Sequence, residues 1–288
     1  MECAATINRA TPARRTSTSL IHAPAARERA LASAALYRML ALAFSNPESE
    51  LARLIIRECA ALKIALRRGA LPAHLARTLN EAEQAWRSVT IAPLSIEHSR
   101  LFLGAGLVPL REGGFGDGMR FAGQPVDIAD VSGFYLAFGF ALPDSSASPP
   151  DHLGAELEFV SLLHLKIALA LQRGRSEVLR ITRSALAAFL KDYLGRWSQP
   201  FASALADAGA APAYLTMGRL LARTLEADCI SFNVRPAKAR AGTGRDPIAG
   251  EELVCPFSKS GIALSVGPLD DEIVRTRARD LRRRIEAR

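Results

Sequence analysis

Apolar positions recur every three or four residues through most of the chain, the signature of helices that each bury one face. Over residues 27–44, Leu36, Met39, Leu40, Ala43 and Phe44 form one stripe. Ser45-Asn46-Pro47 ends it, because proline disfavours helical backbone in the residue before it. Residues 48–68 carry Leu51, Leu54, Ile55, Cys59, Leu62 and Leu66 on one face, and 73–89 carry Leu75, Leu79, Ala82, Trp86 and Val89. A short helix is predicted from Ser95 to Leu103, after Pro93. Between Gly104 and Gly123 the pattern dissolves. Seven glycines in those twenty residues exclude a helix and predict a polar hinge loop.

Helix resumes over 125–139, where Val131, Phe134, Tyr135 and Phe138 make an aromatic stripe. A proline-bearing linker, Leu142 to Pro150, follows. The next helix is expected to start with Ser148 as N-cap, Pro149 as first helical residue and Asp151 completing a capping box. Leu153, Leu157, Val160, Leu163, Ile167 and Leu171 then repeat up to Arg173-Gly174. Further helices are predicted over 176–197, with Phe189, Tyr193 and Trp197 four apart, and near 199–208 and 213–227. Beyond Cys229, Ile230 to Val234 alternates like a strand, 236–250 is basic and glycine-rich, and 270–288 predicts an amphipathic helix. No internal repeat is visible. The expected fold class is all-α, a single helical bundle of about nine to ten helices over 27–228. A disordered basic arm, 1–26, precedes it, and an irregular C-terminal extension, 229–288, follows. Phe232, Val234, Leu253, Phe257 and Ile262 are too many apolar residues to leave in water, so 251–266 is expected to fold back on the body.

Composition supports this outline. Apolar residues make up 49% of the 288 and charged residues 23%, which excludes a mostly disordered, collagen-like or disulfide-stapled chain. Cys3, Cys59, Cys229 and Cys255 have no CxxC or CxxH spacing, which argues against zinc ribbons and fits a reducing, cytoplasmic setting. The +8 charge sits largely at the ends: five arginines against two acids in 1–29, seven against five in 269–288. Solvated ends, with no stable nucleic-acid partner, explain that distribution better than a nucleic-acid-reading face. No run of 18 apolar residues occurs, so no membrane span is expected. Arg14-Arg15 precedes hydroxyl residues, but His22, Pro24 and Arg27 interrupt what an export signal would need as an apolar stretch.

The residues that could carry chemistry form no catalytic set. His152 and Glu156 lie four apart on one helix face, but no Glu-x-x-His pair occurs, and His164 is about 18 Å further along the helix, too far to share an ion. Gly113-Gly114-Phe115-Gly116-Asp117-Gly118 lacks the Gly-Lys-Ser/Thr ending of a phosphate loop, and no Gly-x-Ser-x-Gly occurs. A non-enzyme without metal or cofactor is expected, with a basic nucleic-acid-binding or metal-binding helical protein as the alternative. Glu97, His98, Arg100, Asp151, His152 and Glu156 flank the hinge. Acids beside aromatics suit a basic, apolar peptide, since carboxylates pair with arginines and a groove takes apolar side chains.

One segment goes further. Pro149-Pro150-Asp151-His152-Leu153-Gly154-Ala155-Glu156-Leu157 resembles the Pro-Pro-Asp-His-Ile-x-x-Glu-Leu segment of the TorD/DmsD/NarJ family, chaperones that mature molybdenum-containing redox enzymes. Glu97-His98-Ser99-Arg100-Leu101-Phe102 resembles that family's Glu-Tyr-x-x-Leu-Phe motif, with His98 in place of Tyr. Arg111-Glu112-Gly113-Gly114-Phe115 stands where many members have a Tyr-Glu-Ser-Val-Tyr-like segment, keeping Glu112 and one aromatic. The likeness runs from about residue 28 to 228. It implies an all-α fold and binding of the apo catalytic subunit of a molybdopterin enzyme, or of its leader peptide, often twin-arginine. A monomer or homodimer is expected. Asp151, His152 and Glu156 are the client-binding residues the likeness implies, with Glu97, His98, Leu101, Phe102 and Glu112 on the other half.

Overall fold

The computed structural model describes residues 18–104, 106–115, 124–140 and 149–236. Nine α-helices run through them in chain order: α1 Thr18–Ala43, α2 Leu51–Arg67, α3 Leu75–Arg87, α4 Ile91–Phe102, α5 Gln124–Ala137, α6 Leu153–Gln172, α7 Ser176–Asp192, α8 Leu194–Asp207 and α9 Pro212–Ser231. One 3₁₀ turn, Glu112–Phe115, interrupts the hinge. Among the described residues there is no strand, so the all-α expectation holds.

Long-range packing is organised around α1 and α6. Ser161 Oγ donates to the Ala34 carbonyl at 2.8 Å, and one turn further along both helices the Tyr37 ring stacks on His164 at 5.5 Å. The two helices therefore run parallel. Around them α2 and α3 form one antiparallel hairpin, α6 and α7 another, and α9 packs against both α3 and α8. Burial follows the sequence stripes: Leu36, Tyr37, Met39, Leu40 and Phe44 of α1, and Leu153, Leu157, Val160 and Leu163 of α6, share one contiguous core. Near the middle of α6, Asp228 accepts from the Tyr37 hydroxyl at 2.8 Å and lies 3.2 Å from His164 Nε2, tying α9 to α1 and α6.

Four local expectations are corrected. Helix α1 starts at Thr18, so 18–26 is helical, not an arm; Pro24 gives up one N–H and the helix continues through it. Helix α6 starts at Leu153 with His152 as its cap, whose Nδ1 accepts from the Gly154 N–H at 3.1 Å, so Asp151 does not belong to a capping box. The stretch 176–197 is two helices, broken at Tyr193 (φ −129°, ψ −101°). Gly195 explains how the break closes up, since a Cβ there would overlap the Leu190 carbonyl and approach Pro236 Cγ to 2.7 Å. Finally, 230–234 is no strand. Helix α9 reaches Ser231 and the chain turns at Asn233 (φ 54°), which lets Phe232 and Val234 both pack on the core. The expectations for 1–17, for Ser148 and for everything beyond Pro236, including Cys255 and the terminal helix, lie outside the described residues.

Candidate functional site

The hinge is a strap laid across the start of α6. After α4 the chain folds back, with the Val108 N–H donating to the Leu101 carbonyl at 2.8 Å. Gly106 permits this, because a Cβ there would sit 2.6 Å from that same carbonyl. Residues 110–112 then pair with 151–153: the Leu153 N–H reaches the Leu110 carbonyl at 2.8 Å, and the Glu112 N–H reaches the Asp151 carbonyl at 3.2 Å. Phe115 anchors the strap's end by stacking on Trp197 of α8 at 5.5 Å. Backbone pairing thus joins the Arg111–Phe115 segment to the Pro-Asp-His segment.

Three carboxyl groups gather beneath the strap, and all are buried. Asp151 accepts from Arg111 Nε at 3.2 Å, and Glu112 lies 3.4 Å from an Arg196 guanidinium nitrogen. Glu156 is 0% exposed. Its Oε2 accepts from the Trp197 indole at 3.3 Å, and its Oε1 has no hydrogen-bond partner among the described residues. Burial, reinforced by the Glu112 and Asp151 charges, pushes the Glu156 carboxyl well above its ordinary value. Above them Tyr135 of α5 donates its hydroxyl to the Pro150 carbonyl at 2.7 Å.

The two histidines lie close enough across the same junction for one to act electrostatically on the other. His98 of α4 is buried, with Nδ1 3.1 Å from the Tyr214 hydroxyl and its ring edge-on to Phe102 at 5.0 Å. Burial lowers the His98 pKa, and His152 lowers it further. His152 is itself lowered by burial and by Arg111, against an opposing pull from Asp151. Since its Nδ1 accepts from Gly154, the His152 proton is assigned to Nε2.

The remaining expected residues divide. Leu101 is core, and Phe102 is half-buried between Phe44, His98 and Tyr214. Glu97 turns away from the strap. It binds Arg100 at 2.7 Å and accepts the Ala211 N–H at 2.8 Å, while Arg100 donates to the Ala208 carbonyl at 3.1 Å, so the pair clamps α4 to the α8–α9 turn. What the region offers to solvent is Arg111, with a side chain 44% exposed, and a run of apolar residues: Ile96 (72% exposed), Leu103 and Leu107. Sequence reasoning missed Arg196, Trp197 and Tyr214, which complete the site from α8 and α9. Their only sequence signal is an aromatic or arginine on a helical stripe, which core packing also explains. Among the described residues no group of histidine, cysteine and acidic side chains could hold a metal ion, and no helix is long and apolar enough to cross a membrane.

Comparison with known protein families agrees with the motif reading. The family described as nitrate reductase delta subunit matches residues 68–203, which contain the strap and both motif segments. A crystal structure from Archaeoglobus fulgidus, described provisionally as a redox enzyme maturation protein, is 20% identical. It covers 67% of this chain and 93% of that one, with a TM-score of 0.44. No curated protein matches the chain.

Proposed function

We propose that this chain, whose residues 68–203 match the nitrate reductase delta subunit family and whose motifs resemble those of the TorD/DmsD/NarJ redox-enzyme maturation chaperones, holds the apo catalytic subunit of a molybdopterin oxidoreductase, or its leader peptide, until the cofactor is inserted. The holding takes place in the cytoplasm, before assembly or twin-arginine export, and turns over no substrate. The observation that carries this reading is the convergence of the motif segments: residues 110–112 pair with 151–153, and His152, 54 positions further on, lowers the pKa of buried His98. A merely structural helix pair has no need to bring two neutral histidines and a strap to one edge of the bundle.

The surface at that edge supports an apolar contact better than a carboxylate one. Asp151, Glu112 and Glu156 are buried, whereas Ile96, Leu103 and Leu107 face solvent. Exposed apolar groups beside a polar rim are what a bound segment would cover. The test is capture of a molybdenum-enzyme catalytic subunit, or of its synthetic leader, by the full chain. Wild type is expected to retain one of them, and Ile96→Glu with Leu103→Glu to lose it without a change in melting temperature. Retention of neither by wild type sinks the reading.

A further inference from the structure

We propose that the strap 110–115 is a proton-operated latch, shut while Glu156 carries a proton and loosened when that carboxyl ionises. The inference concerns opening of this chain alone and stands whatever the client is.

Geometry makes the case. Glu156 is wholly enclosed, with one oxygen on the Trp197 indole and the other without a hydrogen-bond partner among the described residues. The titratable groups that interact with it come from the strap, the turn before α6 and α5. Glu112 belongs to the strap, Asp151 to the turn before α6, and Tyr135 to α5, and each interacts with Glu156 electrostatically. Trp197 approaches from α8. The nearby cations are already engaged: Arg111 is with Asp151 and Arg196 is with Glu112. Among the described residues no cation pairs with Glu156 itself. An anion formed there is shut off from solvent, has no counter-charge among the described residues, and repels two further carboxylates.

Relief lies in the strap. Glu112 is its own residue, and its hold on the α6 start includes the Glu112 N–H bond to Asp151 and the Leu153 N–H bond to Leu110. Lifting the strap separates Glu112 from Glu156 and admits water to both. The sign follows from linkage. A carboxyl raised in the folded state stabilises the closed form below its unfolded pKa, and that contribution is lost as pH rises through the folded one. Opening thus increases towards alkaline pH and uncovers Asp151 and Glu112 together.

Hydrogen exchange followed by mass spectrometry on the full chain tests this, with rates converted to opening equilibria from about pH 5 to about pH 8.5. In wild type, opening of 108–115 should rise by up to about tenfold per pH unit once Glu156 begins to ionise. Glu156→Gln, the neutral isostere, should flatten that rise, and peptides from α2 and α3 should show none in either protein. Opening that is independent of pH in wild type, or that rises equally in Glu156→Gln, overturns the latch. If Glu156→Gln does not fold, wild type alone decides. Its infrared spectrum should show a protonated carboxyl at neutral pH that disappears over the range in which the strap opens; no such band overturns the proposal.

Discussion

Glu83 and Glu156 are the same residue type, both buried in helices of one core, and the protein treats them in opposite ways. Glu83 of α3, 5% exposed, lies between Lys63 of α2 and Arg87 of its own helix. The Lys63 hydrogen bond, assisted by Arg87, holds its carboxyl below the ordinary range against the cost of burial. Glu156 has an indole on one oxygen, two other carboxyls nearby, and a pKa driven upward. At Glu83 the charge is a fastener between two helices. At Glu156 the uncharged form is what fits, and the charge is a threat. Burial alone therefore says little about a carboxyl's role; the sign of its neighbours says much more.

The largest contrast is expected from the same substitution at both sites. Glu83→Gln should cost about 1.5–3 kcal/mol at neutral pH, since charge-assisted bonds to Lys63 and Arg87 are lost. Glu156→Gln should cost under about 0.5 kcal/mol near pH 5 and become stabilising above neutrality. Urea unfolding of both variants gives the comparison, and equal losses would erase the distinction.

The adjacent tryptophans sharpen it. Trp197 Nε1 donates to Glu156, whereas Trp86 Nε1, beside Glu83, has no partner among the described residues. Trp197→Phe should therefore cost about 1–2 kcal/mol more than Trp86→Phe, because only the first leaves a buried acceptor without its donor. A third test uses pH. The Glu83 contribution is present above its unfolded pKa and is lost as pH falls through its lowered folded pKa. The Glu156 contribution is lost as pH rises. Removing each should change the slope of stability against pH in opposite directions, by at most about 1.4 kcal/mol per unit. The smallest effect belongs to Arg111→Ala, about 0.2–1 kcal/mol, because that guanidinium is largely solvated even though it meets Asp151.

The same contrast explains what the sequence disclosed. Helices α2 and α3 were legible because Ile55, Cys59, Leu62, Leu79, Ala82 and Trp86 are buried at the period that the stripe predicts. The start of α6 was not, since Ser148-Pro149 has better capping chemistry than His152, and only pairing with residues 110–112 selects the later start. The break at Tyr193 was hidden for a similar reason. Phe189, Tyr193 and Trp197 keep a four-residue spacing across it, so periodicity cannot register a change of helix. At the site, the Pro-Asp-His and Glu-His segments announced themselves, but their division of labour did not. Glu97 is taken by the Ala211 N–H and Arg100, and Glu156 by the Trp197 indole, partners 114 and 41 positions away that no local pattern reveals.

The parallel pairing of α1 with α6 also bears on how the chain comes to be folded. Ala34 waits for Ser161, 127 positions later, so α1 leaves the ribosome long before it can find its partner. The α2–α3 and α6–α7 hairpins close over short connections and need no such wait. Until α6 emerges, the apolar face of α1, with Leu36, Tyr37, Met39 and Leu40, lacks its main cover. A nascent chain halted before residue 153 should accordingly leave the α1 amides open to exchange while those of α2 and α3 are already slowing. A protein proposed to shelter another's unfinished subunit would pass through its own interval of needing shelter.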